Sequence, residues 1–152
     1  MIIIALKKAE EKKNWLSKFI GWRTYSPYSH VEVLVGDYAC SSVFPKGVRI
    51  APVDRVVVNK HEWDFIPLPF VAEEPVLEWF KAHEGRPYDT RSLVEILAGK
   101  ESSDPAAFNC AESVVSSIQA AGYLGWFDAR RAHPEAVALA ARGLLEGYHC
   151  WS

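Results

Sequence analysis

The chain of 152 residues has few cysteines, and their spacing argues against two classes of small protein. Cys40, Cys110 and Cys150 are too few and too scattered for the disulfide framework of a small secreted domain. No C-x-x-C pair occurs, which argues against a structural zinc site, so we expect no metal and no cofactor. Three cysteines leave at least one free thiol, which suits a reducing compartment.

The chain also lacks a strong excess of either charge and any long apolar run. Its 17 basic and 19 acidic residues give a formal net charge of −2, which disfavours a dedicated nucleic-acid-binding protein. The apolar runs are far shorter than the roughly 20 residues that a transmembrane helix needs. The N-terminal "MIIIALKKAEEKK" has its charges after the apolar run and no small-residue cleavage site, unlike a signal peptide. These features predict a protein that stays in the cytoplasm as synthesised.

Strand patterns occupy the first half of the chain. In "HVEVLV" (30–35), valines alternate with His30, Glu32 and Leu34, so the two sets face opposite sides of a strand. Gly36-Asp37 then predicts a tight turn and a hairpin. Two prolines confine the last predicted strand to a sheet edge or a connection. The predicted strands are 1–6, 30–35, 38–44, 47–52, 55–58 and 63–69.

Helical patterns occupy the second half. From Cys110 onward, apolar residues recur at the i, i+3, i+4, i+7 spacing of a helix, and Gly122 ends the pattern. The other predicted helices are 75–83, 90–98 and 135–146, with a short amphipathic helix at 14–22. Strands followed by segregated helices indicate an α+β fold, and the length indicates a single domain over residues 1–152.

Cys110 stands where a helix is predicted to begin. Asn109 is a favoured N-cap residue, and Glu112 then occupies the N3 position of a capping box. A cysteine at the first helical position lies by free backbone N–H groups, which favour the thiolate and could hold an oxyanion. A second register begins the helix at Asp104-Pro105 and places Cys110 in the second turn. Cysteine also commonly serves as a small buried apolar residue.

A thiolate nucleophile needs a base, and His30 is the histidine that opens a strongly patterned strand. Glu32 lies two residues later on the same strand face, where a carboxylate could orient the imidazole and stabilise its charged form. An exposed strand face with two polar residues would have the same pattern. The H-x-E motif also occurs in zinc deaminases, but the P-C-x-x-C part of that signature is absent.

Three short motifs in order carry a resemblance to a known family. They are "SHVE" (29–32), "GRPYD" (85–89) and "FNCAES" (108–113). Together they resemble the permuted papain-like hydrolases of bacteria and phages, the YiiX/YaeF-type relatives of NlpC-type cell-wall peptidases. In unpermuted members the cysteine motif precedes the histidine strand, whereas here the histidine comes first. The resemblance implies an antiparallel sheet packed against the helix that bears the catalytic cysteine.

The resemblance also implies roles for individual residues. Cys110 matches the nucleophile, His30 matches the base, and Tyr88 matches a tyrosine that lines the site near the oxyanion. A ring half-buried after a turn proline is an equally good account of Tyr88.

The third member of the catalytic triad is where this chain departs from the family pattern. Many relatives carry a histidine or glutamate roughly twelve residues after the catalytic histidine, but here Ser41 or Ser42 occupies that region. A serine can orient an imidazole but supplies no counter-charge. Glu32 is therefore our candidate for the orienting carboxylate, and Glu112 is the reserve because Cys-x-Glu recurs in this branch.

The function implied is cysteine-dependent hydrolysis of an amide bond, in a peptide or in the cell wall, through a thioester. Two alternatives stay open. One is an acyltransferase or lipid-ester thioesterase, for which Trp15, Phe19 and Trp22 could line an apolar channel. The other is a non-catalytic binding or virion-structural domain of the same fold. Because the family includes phage-type members, an association with phage is a further expectation.

Overall fold

The computed structural model of the protein describes residues 1–9, 27–90 and 107–151. The strands are β1 (Ile2–Lys8), β2 (Tyr28–Val35), β3 (Tyr38–Val43), β4 (Gly47–Pro52) and β5 (Trp63–Leu68). The helices are α1 (Val53–Val56), α2 (Glu73–His83), α3 (Cys110–Ala120) and α4 (Pro134–Trp151). The predicted α+β class is therefore confirmed.

The strands form a five-stranded antiparallel sheet in the order β4-β3-β2-β1-β5. The predicted hairpin joins β2 to β3, with Val35 opposite Tyr38 and Gly36 in a left-handed conformation at φ +56°. Of the described strands, β5 pairs with β1 alone, so it lies at the edge of the sheet, as its prolines predicted. This order puts β2, the strand that carries His30, at the centre.

The alternation along β2 is confirmed, because its two faces enter two separate apolar clusters. Val31, Val33 and Val35 belong to the larger cluster, which also contains side chains of α2, α3 and α4. Leu34 belongs to the smaller cluster on the opposite face of the sheet, with Ala5, Ala39, Val57 and Trp63. His30 and Glu32 share the Leu34 side of the strand and so point away from the helix-covered core.

The helices pack on the valine face of β2. α3 contacts β2, β3 and α2, while α4 contacts β1, β2 and β5. A polar bridge fastens α4 to the sheet: the Arg142 guanidinium donates to the Tyr28 hydroxyl (3.1 Å), which donates to Asp64 Oδ2 (2.9 Å). These contacts hold α3 against the central strand and fix where its N-terminus lies.

The strand predicted at 55–58 is wrong. After Pro52, residues Val53–Val56 form the short helix α1. Val53, Val56 and Val57 follow the i, i+3, i+4 spacing of a helix, and all three pack with the smaller apolar cluster. Helical geometry thus buries the valines on one side, whereas a strand would have turned alternate valines outward.

The helices predicted at 14–22 and 90–98 fall on residues 10–26 and 91–106, outside the described part of the chain, apart from Thr90. The helices predicted at 75–83, at 110–121 and at 135–146 are confirmed as α2, α3 and α4. Among the described residues, no helix combines the length and the apolar character that crossing a membrane requires.

Candidate active site

Cys110 is the first residue of α3, as the capping pattern predicts. Asn109 has extended backbone angles, and its side-chain Oδ1 accepts a hydrogen bond from the Glu112 backbone N–H at 2.8 Å. Because Asn109 is extended, the alternative register that places Cys110 in the second turn of the helix is wrong. The Cys110 side chain is largely buried and lies at the end of the helix where backbone N–H groups lack partners within the helix.

A short bridge between two chain segments places Tyr88 beside this cysteine. The Phe108 N–H donates to the Pro87 carbonyl (3.1 Å), and the Asp89 N–H donates to the Phe108 carbonyl (3.2 Å). The segment that contains Tyr88 therefore runs alongside the residues that lead into α3. Burial is the main cause that raises the pKa of Tyr88, and the nearby Cys110 and Asp89 raise it further. The hydroxyl therefore stays protonated and can donate a hydrogen bond.

The same "GRPYD" segment is fastened to strand β4. The Val48 N–H donates to the Arg86 carbonyl and the Gly85 N–H donates to the Val48 carbonyl, both at 2.9 Å. The approach is so close that a Cβ at Gly47 would lie 1.9 Å from the Arg86 carbonyl oxygen. Gly47 also has φ +80°, a conformation that favours glycine. Gly47 therefore allows the docking that delivers Tyr88.

His30 and Glu32 are in direct contact. His30 Nε2 and Glu32 Oε1 are 2.7 Å apart, and the Glu32 side chain is fully buried. Arg49 on β4 donates from Nη2 to the same Glu32 oxygen at 2.7 Å. A buried carboxylate is costly unless cations or donors compensate it, and here one carboxylate has two such partners.

The imidazole of His30 is held in its charged form. Burial, the largest single effect, lowers the pKa of His30. Charge and hydrogen-bond interactions, with Cys110 first and Glu32 second, raise it by more, so that the pKa of His30 is about 10. Because Nε2 faces Glu32, Nδ1 is the nitrogen that remains for proton exchange with the thiol. The ring also meets Trp63 edge-on at 6.4 Å between centroids, which restricts its orientation.

All four predicted site residues line one groove, which we call the Cys110 groove. It has a volume of about 920 Å³ and contains Cys110, His30, Glu32 and Tyr88 in its walls. The thiol and the imidazole reach this groove from different sides of β2. Helix α3 brings the thiol from the valine side, and the start of β2 brings the imidazole from the other side.

The other candidates for the third member make different contacts. The Ser41 hydroxyl donates to the Val31 carbonyl at 2.8 Å, and the Ser42 hydroxyl donates to the Phe108 carbonyl at 2.6 Å. Both serines thus bind backbone carbonyls. Glu112 accepts from the Asn109 backbone N–H, completing the capping box, and burial raises its pKa to about 7. Of the four candidates, Glu32 has the direct bond to His30.

Arg49 is the residue that sequence reasoning missed. It lies in the predicted strand 47–52, but nothing in its own neighbourhood links it to a histidine far away in sequence. The link is the register, which places Arg49 opposite Ser41 on β3, the strand next to β2. The available signal was an arginine in a short strand that otherwise reads as apolar, since a buried arginine needs a carboxylate partner.

Neither models of known protein families nor curated protein sequences gave a match to this chain.

The arrangement suits nucleophilic acyl chemistry. It combines a thiol at a helix N-terminus, a charged imidazole, a carboxylate that orients the imidazole and a neighbouring phenol. Within residues 1–9, 27–90 and 107–151, no group of three or more His, Cys, Asp or Glu side chains is arranged to hold a metal ion.

Proposed function

We propose that this protein is a cysteine-dependent hydrolase that cleaves an amide bond, in a peptide or in the cell wall, through a thioester intermediate. The observation that carries the proposal is the placement of His30, which bonds Glu32 at 2.7 Å through Nε2 and interacts with Cys110. Nucleophile, base and orienting group then stand in the order that a thiol triad requires.

The first half of the reaction forms the thioester. The Cys110 thiolate attacks the carbonyl carbon of the amide, and the carbonyl oxygen becomes an oxyanion. Backbone N–H groups at the N-terminus of α3 are the donors for that oxyanion, and the Tyr88 hydroxyl is a further donor in the same groove. The C–N bond then breaks, and the amine leaves with the proton that His30 Nδ1 held.

The second half releases the acyl group. A water molecule loses a proton to the neutral His30 imidazole and attacks the thioester carbonyl. The C–S bond breaks, the carboxylic acid leaves, and the thiolate–imidazolium pair is restored. Glu32 keeps its bonds to His30 and Arg49, and it stabilises the imidazolium each time the imidazolium forms.

The proposed fold is a permuted papain-like one. An antiparallel sheet with the histidine on its central strand, packed against a helix headed by the cysteine, is what that fold requires. The histidine strand also precedes the cysteine helix in the chain, which is the permuted order. Both observations support the assignment made from the sequence motifs.

The test is incubation with peptide anilides, peptidoglycan fragments and p-nitrophenyl esters, with mass spectrometry of the intact protein during turnover. We expect release of amine and an acyl adduct on Cys110 that water removes. Ester cleavage without amide cleavage, or transfer of the acyl group to an added amine, would favour the thioesterase or acyltransferase alternative. No adduct and no product with any substrate would contradict catalysis and leave a binding domain.

A further inference from the structure

The charge of the Cys110 groove is opposite in sign to the charge of the whole chain. The chain carries more acidic than basic residues, 19 against 17. Among the described residues, four basic side chains line the groove, namely Lys7, Lys46, Arg49 and Arg55, whereas Glu32 is the one carboxylate. A cleft lined by one sign of charge concentrates ligands of the other sign.

Carboxylates do not neutralise all of the basic side chains in the groove. Glu32 is already bonded to Arg49 and His30, so it has little capacity to neutralise a further cation. Lys7 lies 3.7 Å from Glu62, a loose and partly exposed pair. Lys46 and Arg55 are exposed, and the described residues contain no ion pair for either. These two cations are therefore available to a ligand.

Lys46 and Arg55 lie in the wall of the groove that contains the reacting atoms. Lys46 precedes β4, and Arg55 lies in α1 directly after β4, so the two flank the strand that carries Arg49. All three cations line the same groove as Cys110. Charged and apolar residues are interleaved along this wall, from Phe44 and Lys46 to Arg55 and Val56. A fatty acyl chain would need a continuous apolar surface, which this lining interrupts.

We infer that the Cys110 groove selects peptides that carry a carboxylate close to the scissile amide, with Lys46 and Arg55, at the two ends of β4, as the free cations that attract the carboxylate into the groove. The inference rests on the proposed function, since it names the substrate class of that site. Arg49 stays with Glu32 and holds the imidazole in place, while the two exposed cations provide the specificity.

The first experiment measures the charge preference without turnover. Cys110 is alkylated with iodoacetate, which is anionic, and separately with neutral iodoacetamide, and site-resolved rates are read by mass spectrometry. The ratio of the two rates cancels the fraction of thiolate, because both reagents react with the same sulfur. Exposed Cys150 in the same tube is the internal reference.

At low salt we expect the iodoacetate-to-iodoacetamide ratio at Cys110 to exceed the ratio at Cys150 about fivefold or more. The double variant Lys46→Gln, Arg55→Gln should lower the ratio at Cys110 several-fold, as should 0.5 M NaCl in the parent protein. Lys81→Gln, an exposed lysine on α2 outside the groove, is the matched control and should leave the ratio unchanged. A ratio that the double variant does not alter would overturn the inference.

The second experiment uses peptides that differ in one residue next to the scissile amide: glutamate, glutamine or phosphoserine. We expect kcat/KM to be about tenfold higher for glutamate than for glutamine, with the difference lost in the double variant. A phosphoserine peptide preferred over glutamate, or protection of Cys110 by anionic phospholipid vesicles but not by acetylglutamate, would overturn the carboxylate assignment. Equal cleavage of all three would overturn the inference but keep the hydrolase. If none is cleaved, the proposed function fails, and the alkylation ratio alone decides the anion preference.

Discussion

Two sequence motifs of the same form, a candidate catalytic residue followed two positions later by glutamate, contribute side chains to the Cys110 groove. His30 and Glu32 lie on strand β2, and Cys110 and Glu112 lie on helix α3. In a strand, residues i and i+2 point to the same side, so Glu32 bonds the His30 ring directly. In a helix they lie about 200° apart, so Glu112 turns away from the thiol and bonds the backbone of Asn109 instead.

The difference in partners is also a difference in charge. Glu32 is fully buried and bonds both the Arg49 guanidinium and the His30 imidazolium. Glu112 is also buried, but a backbone N–H is its capping partner, and burial dominates the shift of its pKa to about 7. One glutamate is thus equipped to stabilise a cation during a reaction, and the other is equipped to begin a helix.

The largest effect should come from the thiol itself. We expect Cys110→Ala to reduce hydrolysis at least about 10⁴-fold while the melting temperature changes little, because alanine fills the small buried site at the first helical position. Cys150→Ser, at the exposed cysteine of α4, is the matched control and should retain full activity. Equal losses in both variants would show that the assay does not report on Cys110.

The next effect distinguishes the two glutamates. Glu32→Gln should lower kcat about 10²–10⁴-fold, because the amide keeps the shape but cannot stabilise imidazolium. The pKa of His30 should fall, since one of the groups that raise it is gone while burial still lowers it. The readouts are steady-state kinetics and NMR titration of the His30 ring.

Glu112→Gln is the matched comparison, and its kcat should stay within about twofold of the parent. An equal loss in the two variants would remove the distinction between the strand glutamate and the helix glutamate. A damaging Ser41→Ala or Ser42→Ala with a harmless Glu32→Gln would assign the orienting role to a serine.

A smaller effect is expected at Arg49, the residue behind Glu32. Arg49→Gln leaves the buried Glu32 with one charged partner, so we expect a loss of about 1–3 kcal/mol of unfolding free energy. This loss is smaller than for a fully buried ion pair, because the Arg49 side chain is 22% exposed. Activity should fall about tenfold, since the His30 bond remains. Arg49→Lys should recover part of both losses, and urea denaturation with kinetics measures them. A stable, fully active Arg49→Gln protein would show that His30 alone suffices for Glu32.

The sequence predicts well those features of this molecule that depend on residues close together in the chain. The Asn109 cap, the Gly36 turn, the alternation of β2 and the edge position of β5 all follow from neighbouring residues. The bond between His30 and Glu32 was predictable for the same reason, because the strand period alone brings the two side chains together.

What the sequence does not predict depends on contacts between distant segments. Arg49 reaches Glu32 only because β3 and β4 pair in one register, and Gly47 is needed only because Arg86 approaches it. The 55–58 segment has valines typical of a strand, but the cluster around Trp63 offers a surface that a helix covers better. For Arg49 and Gly47 the deciding partner lies far along the chain, and for 55–58 the packing of the whole cluster decides.

The smallest effect concerns Glu112 and depends on pH. Its pKa rises from 4.5 to about 7 in the folded protein, with burial as the main cause. Between these values the folded state holds a proton that the unfolded state has lost. Stability therefore falls as pH rises from about 4.5 to 7, and the loss persists above pH 7, at about 3 kcal/mol or less.

Glutamine also serves at N3 of a capping box but has no proton to lose, so Glu112→Gln should remove this slope. We expect the variant to match the parent protein within about 1 kcal/mol at pH 5 and to be more stable by about 1–2 kcal/mol at pH 8, measured by urea denaturation at both values. Glu78→Gln, on the exposed face of α2, should leave the slope unchanged. A Glu112→Gln protein with the parent's pH dependence would show that Glu112 is ionised in the folded state across the whole range, and that the capping N–H of Asn109 outweighs its burial.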